Sequence, residues 1–217
     1  MKLNSNIKTA IRVAKIELNS MFYSPVAWLV LVIFGFQIGM SFAQIYGEQL
    51  RYQDMGYDLW SVTSGVYTGM RGILPPIQRY IYLYIPLITM GLMSREYQSG
   101  SIKLLYSSPV KNTSIIIGKF LSMMVYGGAL IAVLGVFVIF SAITIVNFDY
   151  PLVLSGMLGL YLLILAYSAI GLFMSSITKY QVVAAIGTLA VLAVLNFIGD
   201  VGQDYDLVRH ITYWLSI

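Results

Sequence analysis

The residue types that carry out chemistry are scarce in this chain, and their scarcity directs the first inferences. One histidine, His210, stands near Asp200, Asp204 and Asp206. Carboxylates beside an imidazole are a possible metal donor set. The aspartates are spaced four and two apart in a stretch with no apolar period, so a solvated loop is the simpler account. The chain has no cysteine, which removes disulfides, thiolate metal sites and cysteine nucleophiles. The one Gly-Lys pair, Gly118-Lys119, precedes Phe120 and has Thr113 where a phosphate loop needs its first glycine. No H-E-x-x-H, G-x-S-x-G or dinucleotide fingerprint occurs. No catalytic, cofactor or metal site is expected, and no enzyme.

The segment from Arg95 to Pro109 is the most informative. Arg95 and Glu96 follow an apolar run and end it with a charge pair. Gly100 permits a turn. Ser101 can cap a short helix carrying Ile102, Leu104 and Leu105, which Pro109 cannot continue. Asn112, Thr113 or Ser114 then caps the next long helix, which enters the apolar phase at Lys119. A short helix with exposed leucines across the ends of two long ones is shaped to press into a groove on another protein. Taken alone, the spacing supports a structured turn, with Glu96 an interfacial acid paired to Arg95 or Lys103.

These residues are positioned by elements that cannot belong to a soluble protein. Of the 217 residues, 59% are hydrophobic and only 10% charged, against about a quarter charged in soluble domains. A bilayer core asks for about 20 apolar residues per helix, and five segments answer: Val26 to Ala43, Tyr80 to Ser94, Phe120 to Val146, Leu152 to Ile177 and Val182 to Ile198. The second is short and contains Pro86; a start near Ile73 is the alternative, although Pro75 and Pro76 argue for a break there. The first 25 residues hold no unbroken apolar core, unlike a cleavable signal peptide. The expected fold is all-α and integral to the membrane. An interfacial helix (1–25) precedes a five-span domain (26–198) with an external loop at 44–79 and a cytoplasmic loop at 95–119. An external segment (199–217) leads towards a sixth helix absent from the sequence.

Orientation follows from the basic residues. With the N-terminus inside, Lys2, Lys8, Arg12, Lys15, Arg95, Lys103, Lys111, Lys119 and Lys179 face the cytoplasm with only Glu17 and Glu96 as acids. Arg51, Arg71, Arg79 and Arg209 lie outside with most of the acids. The expected location is a bacterial-type inner membrane, crossed several times, with a cytoplasmic N-terminus.

Within the first segment Ile7, Ile11, Ala14, Leu18, Met21 and Phe22 form an apolar stripe at helical spacing, with Lys8, Arg12, Lys15 and Asn19 beside it. Val13 and Ile16 fall outside this pattern, and Asn4, Ser5 and Asn6 offer caps. Such a helix lies in the interface with its cations towards anionic headgroups. It is either a lipid anchor or also a dock for a cytoplasmic partner. In the external loop, Trp60, Thr63, Tyr67, Met70 and Leu74 have the spacing of a helix lying on the outer leaflet. Gly35 and Gly39 form a G-x-x-x-G pair, marking either a dimer face or packing within the bundle. Gln37 and Asn196 are the strongly polar residues of the spans. Spans this poor in ionisable groups disfavour an ion-coupled transporter.

The loop resembles the first cytoplasmic loop of type 2 ABC exporter permeases. There a basic-acidic pair is followed by a Gly-Ser or Gly-Thr turn, a Leu-Leu pair, a proline and then Gly-Lys. The matching residues are Arg95, Glu96, Gly100, Ser101, Leu104, Leu105, Pro109, Gly118 and Lys119. Within that family the chain is most similar to permeases associated with gliding motility and with multi-copper or lipid export. The resemblance implies a permease without its own ATP site, with ATP and Mg held by a separate ATPase subunit. It also implies a second permease chain, lipid contacts and no nucleic acid. The interfacial helix and the Glu96 loop would transmit ATPase closure to the spans. The alternative function is a non-transporting membrane scaffold, or a motility or assembly component, on the same fold.

Overall fold

In hydrocarbon every backbone N–H and C=O must be satisfied within the protein, which leaves long apolar runs no better choice than helix. The computed structural model describes residues 2–55, 62–69, 72–107, 110–145 and 147–204; the side chains of 2–5, 50, 53, 54, 104–106 and 199–204 fall outside the description. The described elements are helices α1 (Lys2–Tyr23), α2 (Pro25–Asp54), α3 (Val62–Tyr67), α4 (Leu74–Thr89), α5 (Ser94–Ser99), α6 (Ile102–Ser107), α7 (Asn112–Thr144), α8 (Tyr150–Ile177) and α9 (Gln181–Asp204).

Among the described residues, four helices are long and apolar enough to cross a membrane: Pro25–Gln49, Asn112–Thr144, Tyr150–Ile177 and Gln181–Ile198. The remaining expected span is α4, with 16 residues, or about 24 Å of helix against a core of about 30 Å. Its placement also differs from the expected Tyr80–Ser94. Pro75 and Pro76 open α4 in its first turn, where a missing N–H and a fixed φ do no harm, so of the two alternatives the start near Ile73 is the one found. Shortness goes with burial. Ile77, Ile81, Ile85 and Ile88 of α4 all lie in the core, and α4 packs on α2, α8 and α9.

The core is built from ridges at steps of three and four. Val30, Phe34 and Ile38 come from α2, Tyr126, Leu130 and Leu134 from α7, and Leu160, Ile164 and Tyr167 from α8. Several polar side chains tie one helix to another. The Tyr84 hydroxyl donates to Gln37 Oε1, Asn196 Nδ2 donates to the Tyr167 hydroxyl at 3.0 Å, and Tyr126 donates to the Ala27 carbonyl at 2.7 Å. Gln37 and Asn196 are therefore interhelical ties.

Four expectations outside the bundle are corrected. Helix α2 runs on to Asp54, well into the segment read as loop from residue 44. The outer-leaflet helix is not found as such: α3 covers only Val62–Tyr67, and Val66 and Tyr67 are fully buried, so it plugs inward; Trp60 and Met70 lie outside the described residues. Tyr67 donates to Ser141 Oγ at 2.8 Å; burial pushes its phenol up, with that hydrogen bond acting in the opposite direction. Finally, α7 is not capped by Asn112, Thr113 or Ser114. Its cap position is Lys111, in extended conformation and with no side-chain cap bond, while α1 already starts at Lys2, ahead of the expected caps.

Candidate functional site

At 33 residues, or about 50 Å, α7 is much longer than a bilayer core, and its first turns provide a shaft on which α1 packs. The most extensive contact of α1 is with α7. The face it uses agrees only in part with the stripe read from the sequence: Met21 lies in the core with Leu18 and Phe22 packed against it, but the N-terminal half differs. Ala10 and Met21 are buried and Val13, Ala14 and Glu17 half-buried, whereas Ile7 and Ile11 are exposed. Val13, which broke the expected stripe, packs against Gly118. A Cβ at Gly118 would stand 2.7 Å from the Ala10 carbonyl oxygen and 2.7 Å from Val13 Cβ. Glycine is required there because two backbones meet.

One turn along this contact is a buried charge cluster. The Lys119 side chain is 1% exposed, and its ammonium lies 2.9 Å from Glu17 Oε2 and 2.7 Å from Glu96 Oε1. It also donates to the Leu92 carbonyl in the α4–α5 link. One cation on α7 thus ties together α1, α5 and the end of α4. An ammonium removed from water is tolerable only with charged and hydrogen-bonded partners, and here all three of its protons have acceptors. The carboxylates outnumber the cation, and the buried Glu96 Oε2 accepts no hydrogen bond.

The α4–α5 link is held from the other side by α8. Ser175 Oγ accepts from the N–H groups of Met93 at 3.0 Å and Ser94 at 3.1 Å and donates to the Met90 carbonyl at 2.9 Å. It serves as a cap that the α5 sequence does not supply, since the N-cap Met93 makes no side-chain bond. Leaving two buried N–H groups unpaired costs about 1–3 kcal/mol for each. Ser175→Ala should therefore lower the thermal midpoint of the detergent-solubilised chain, while Ser175→Thr retains it. An unchanged midpoint for Ser175→Ala would mean the hydroxyl is not holding the turn.

The remaining expected site residues fall around this cluster. Arg95 does not pair with Glu96; its guanidinium donates to Ser20 Oγ of α1 at 2.9 Å. Glu96 pairs with Lys119 instead of Arg95 or Lys103. Gly100 ends α5 in the left-handed region, φ +74°, the conformation that favours glycine. Ser101 Oγ lies 2.8 Å from Ser99 Oγ. Ile102 packs against the core and so anchors α6, while Lys103 is exposed. The side chains of Leu104 and Leu105 lie outside the described residues, as do Pro109, Asp206 and His210. Lys8, Arg12 and Lys15 are exposed along α1. Gly35 and Gly39 face α7, where added Cβ atoms would meet Val133 at 3.4 Å and Phe137 at 3.5 Å; they pack inside the chain.

Glu17, Ser20 and Ser175 were missed by sequence reasoning. Glu17 carried a signal, being the one acid of the first 25 residues and sitting at helical spacing with Ala10, Val13 and Met21. Ser175 carried none.

A family model described as ABC-2 family transporter protein matches residues 11–203, from α1 to the end of α9. Comparison with curated proteins and with solved structures finds no match.

Proposed function

The chain belongs to the ABC-2 family of transporter proteins, and from that premise we propose that it is the permease subunit of an exporter driven by a separate ATPase. In this reading the segment α5–α6, residues Arg95 to Pro109, docks on the ATPase at the cytoplasmic face, and α1 lies beside it at the inner-membrane surface. ATP and Mg belong to the ATPase, and a second permease chain completes the path.

The observation that carries the reading is the Lys119 cluster. A docking element moves the spans only if it is fastened to them, and Glu96 fastens α5 to α7 while Glu17 fastens α1 to the same point. Ser175 adds α8. Displacement of α5 would then be delivered to α7, α8 and α1 together. The orphaned Glu96 oxygen leaves this joint short of full satisfaction, which suits a contact remade during a cycle.

Two variants test docking and transmission apart. Leu104→Asp places a charge on the proposed docking helix and should reduce recovery of the ATPase with the purified permease by about tenfold or more, as loss of an interface hot spot does. Glu96→Gln should leave recovery unchanged but uncouple hydrolysis from solute movement in proteoliposomes. Equal recovery with the wild type and Leu104→Asp would count against this docking surface.

A further inference from the structure

Beside the α1–α7 contact runs an open groove of about 550 Å³, within the range of about 300–1,000 Å³ typical of small-ligand clefts. Ile11 and Ala14 of α1, Leu121, Val125 and Gly128 of α7 and Tyr161 of α8 line it. At Gly128 nothing lies within 4 Å of where a Cβ would be, so the missing side chain leaves the groove its depth. The Tyr161 hydroxyl is already committed to the Met124 carbonyl at 3.2 Å. The remaining lining is hydrocarbon and unsuited to a polar solute.

The lip of this groove is basic. At 100° per residue, Lys15 and Lys8 fall within about 60° of Ile11 on the side away from Ala14, with Arg12 beyond them. All three are exposed, and both ion pairs among the described residues belong to Lys119. The one acid on α1, Glu17, is consumed by that cluster. An apolar slot bordered by unneutralised cations on the surface of a membrane protein matches one ligand chemistry, an acyl chain ending in an anionic headgroup.

We propose that this groove holds an acyl chain of an anionic phospholipid, with the headgroup bound by the Lys8–Arg12–Lys15 edge of α1. The lipid then fills the side of the α1–α7 joint that no described segment covers, and it does so whether or not an ATPase is bound.

The test is native mass spectrometry of the full chain, released from micelles containing phosphatidylglycerol, phosphatidylcholine or dihexanoyl phosphatidylglycerol. Attraction of about 1 kcal/mol per basic residue predicts a preference of about tenfold or more for phosphatidylglycerol over phosphatidylcholine. Lys8→Gln/Lys15→Gln, at exposed positions that do not threaten folding, should cut that preference several-fold, to what Arg12 alone sustains, while leaving chain retention intact. Gly128→Phe should displace both long-chain lipids, and the short-chain lipid should bind weakly throughout. Equal retention of the two long-chain lipids by the wild type would overturn the proposal. So would unchanged preference in the double lysine variant, or a dimer that Gly128→Phe dissolves while lipid retention stays the same.

Discussion

Lys119→Met is expected to be the most damaging single substitution in the chain. It removes the ammonium that two carboxylates share and leaves Glu17 and Glu96 facing each other across a space with no counter-charge. Breaking a buried ion pair from one side costs about 3–5 kcal/mol. The side chains of Glu17 and Glu96 are 15% and 21% exposed and can turn partly towards water, which places this case near the lower end. The thermal midpoint of the purified chain should fall sharply. Lys119→Met combined with Glu17→Gln and Glu96→Gln removes the unpaired charges as well and should recover most of the loss, since replacing a whole buried ionic cluster is far less costly than breaking it. If the cluster transmits force, this triple variant should be stable yet move solute poorly for each ATP hydrolysed. A Lys119→Met protein as stable as the wild type would overturn the structural role of the cluster. A triple variant that transports normally would remove its role in coupling.

Gly118→Ala is the second. In an exposed helix interior alanine is favoured over glycine by roughly 0.5–1 kcal/mol, so the local term alone predicts a gain. The tertiary term has the opposite sign. The new methyl would stand 2.7 Å from the Ala10 carbonyl oxygen, a backbone atom that cannot swing aside as a side-chain tip can. Relief requires α1 to lift along its whole contact with α7, and overpacking of this kind costs about 1–3 kcal/mol. Trypsin reports the displacement directly: Lys8, Arg12 and Lys15 are cleaved only when α1 opens, so the rate of N-terminal clipping should rise. Gly159→Ala is the matched control, because nothing lies within 4 Å of its added carbon; clipping and stability there should be unchanged or slightly improved. Equal behaviour of the two variants would show that close approach at Gly118 does not hold α1.

How much of this was legible beforehand depends on how local each property is. The long helices could be read because twenty apolar residues in a row are a local fact with one consequence in a bilayer. The turn at Gly100 was legible for the same reason. The start of α4 was legible only as two alternatives, near Ile73 or near Tyr80. Pro75-Pro76 breaks a helix or opens one, and the choice depended on burial of Ile77, Ile81 and Ile85 against other helices. Leu18, Met21 and Phe22 of the α1 stripe do pack on the core, but its N-terminal half was misread because hydrophobicity alone ranks Ile7 and Ile11 above Ala10. The contact with α7 prefers the smaller residue, since Ala10 and Gly118 let two backbones approach.

The sequence by itself determined that the chain is helical and resides in a membrane, and the Arg95–Lys119 motif pointed to the transporter family that the match over residues 11–203 then supplied. Only the tertiary structure decided which charges work together. Arg95, Glu96, Lys103, Lys119 and Glu17 look alike in one dimension, each an ordinary charge near the end of an apolar run. Folding carries Glu17 across a separation of 102 residues to Lys119, removes that lysine from water, and sends Arg95 to a serine. Burial and pairing of a charge depend on what the rest of the chain brings to its side, and no local pattern records that.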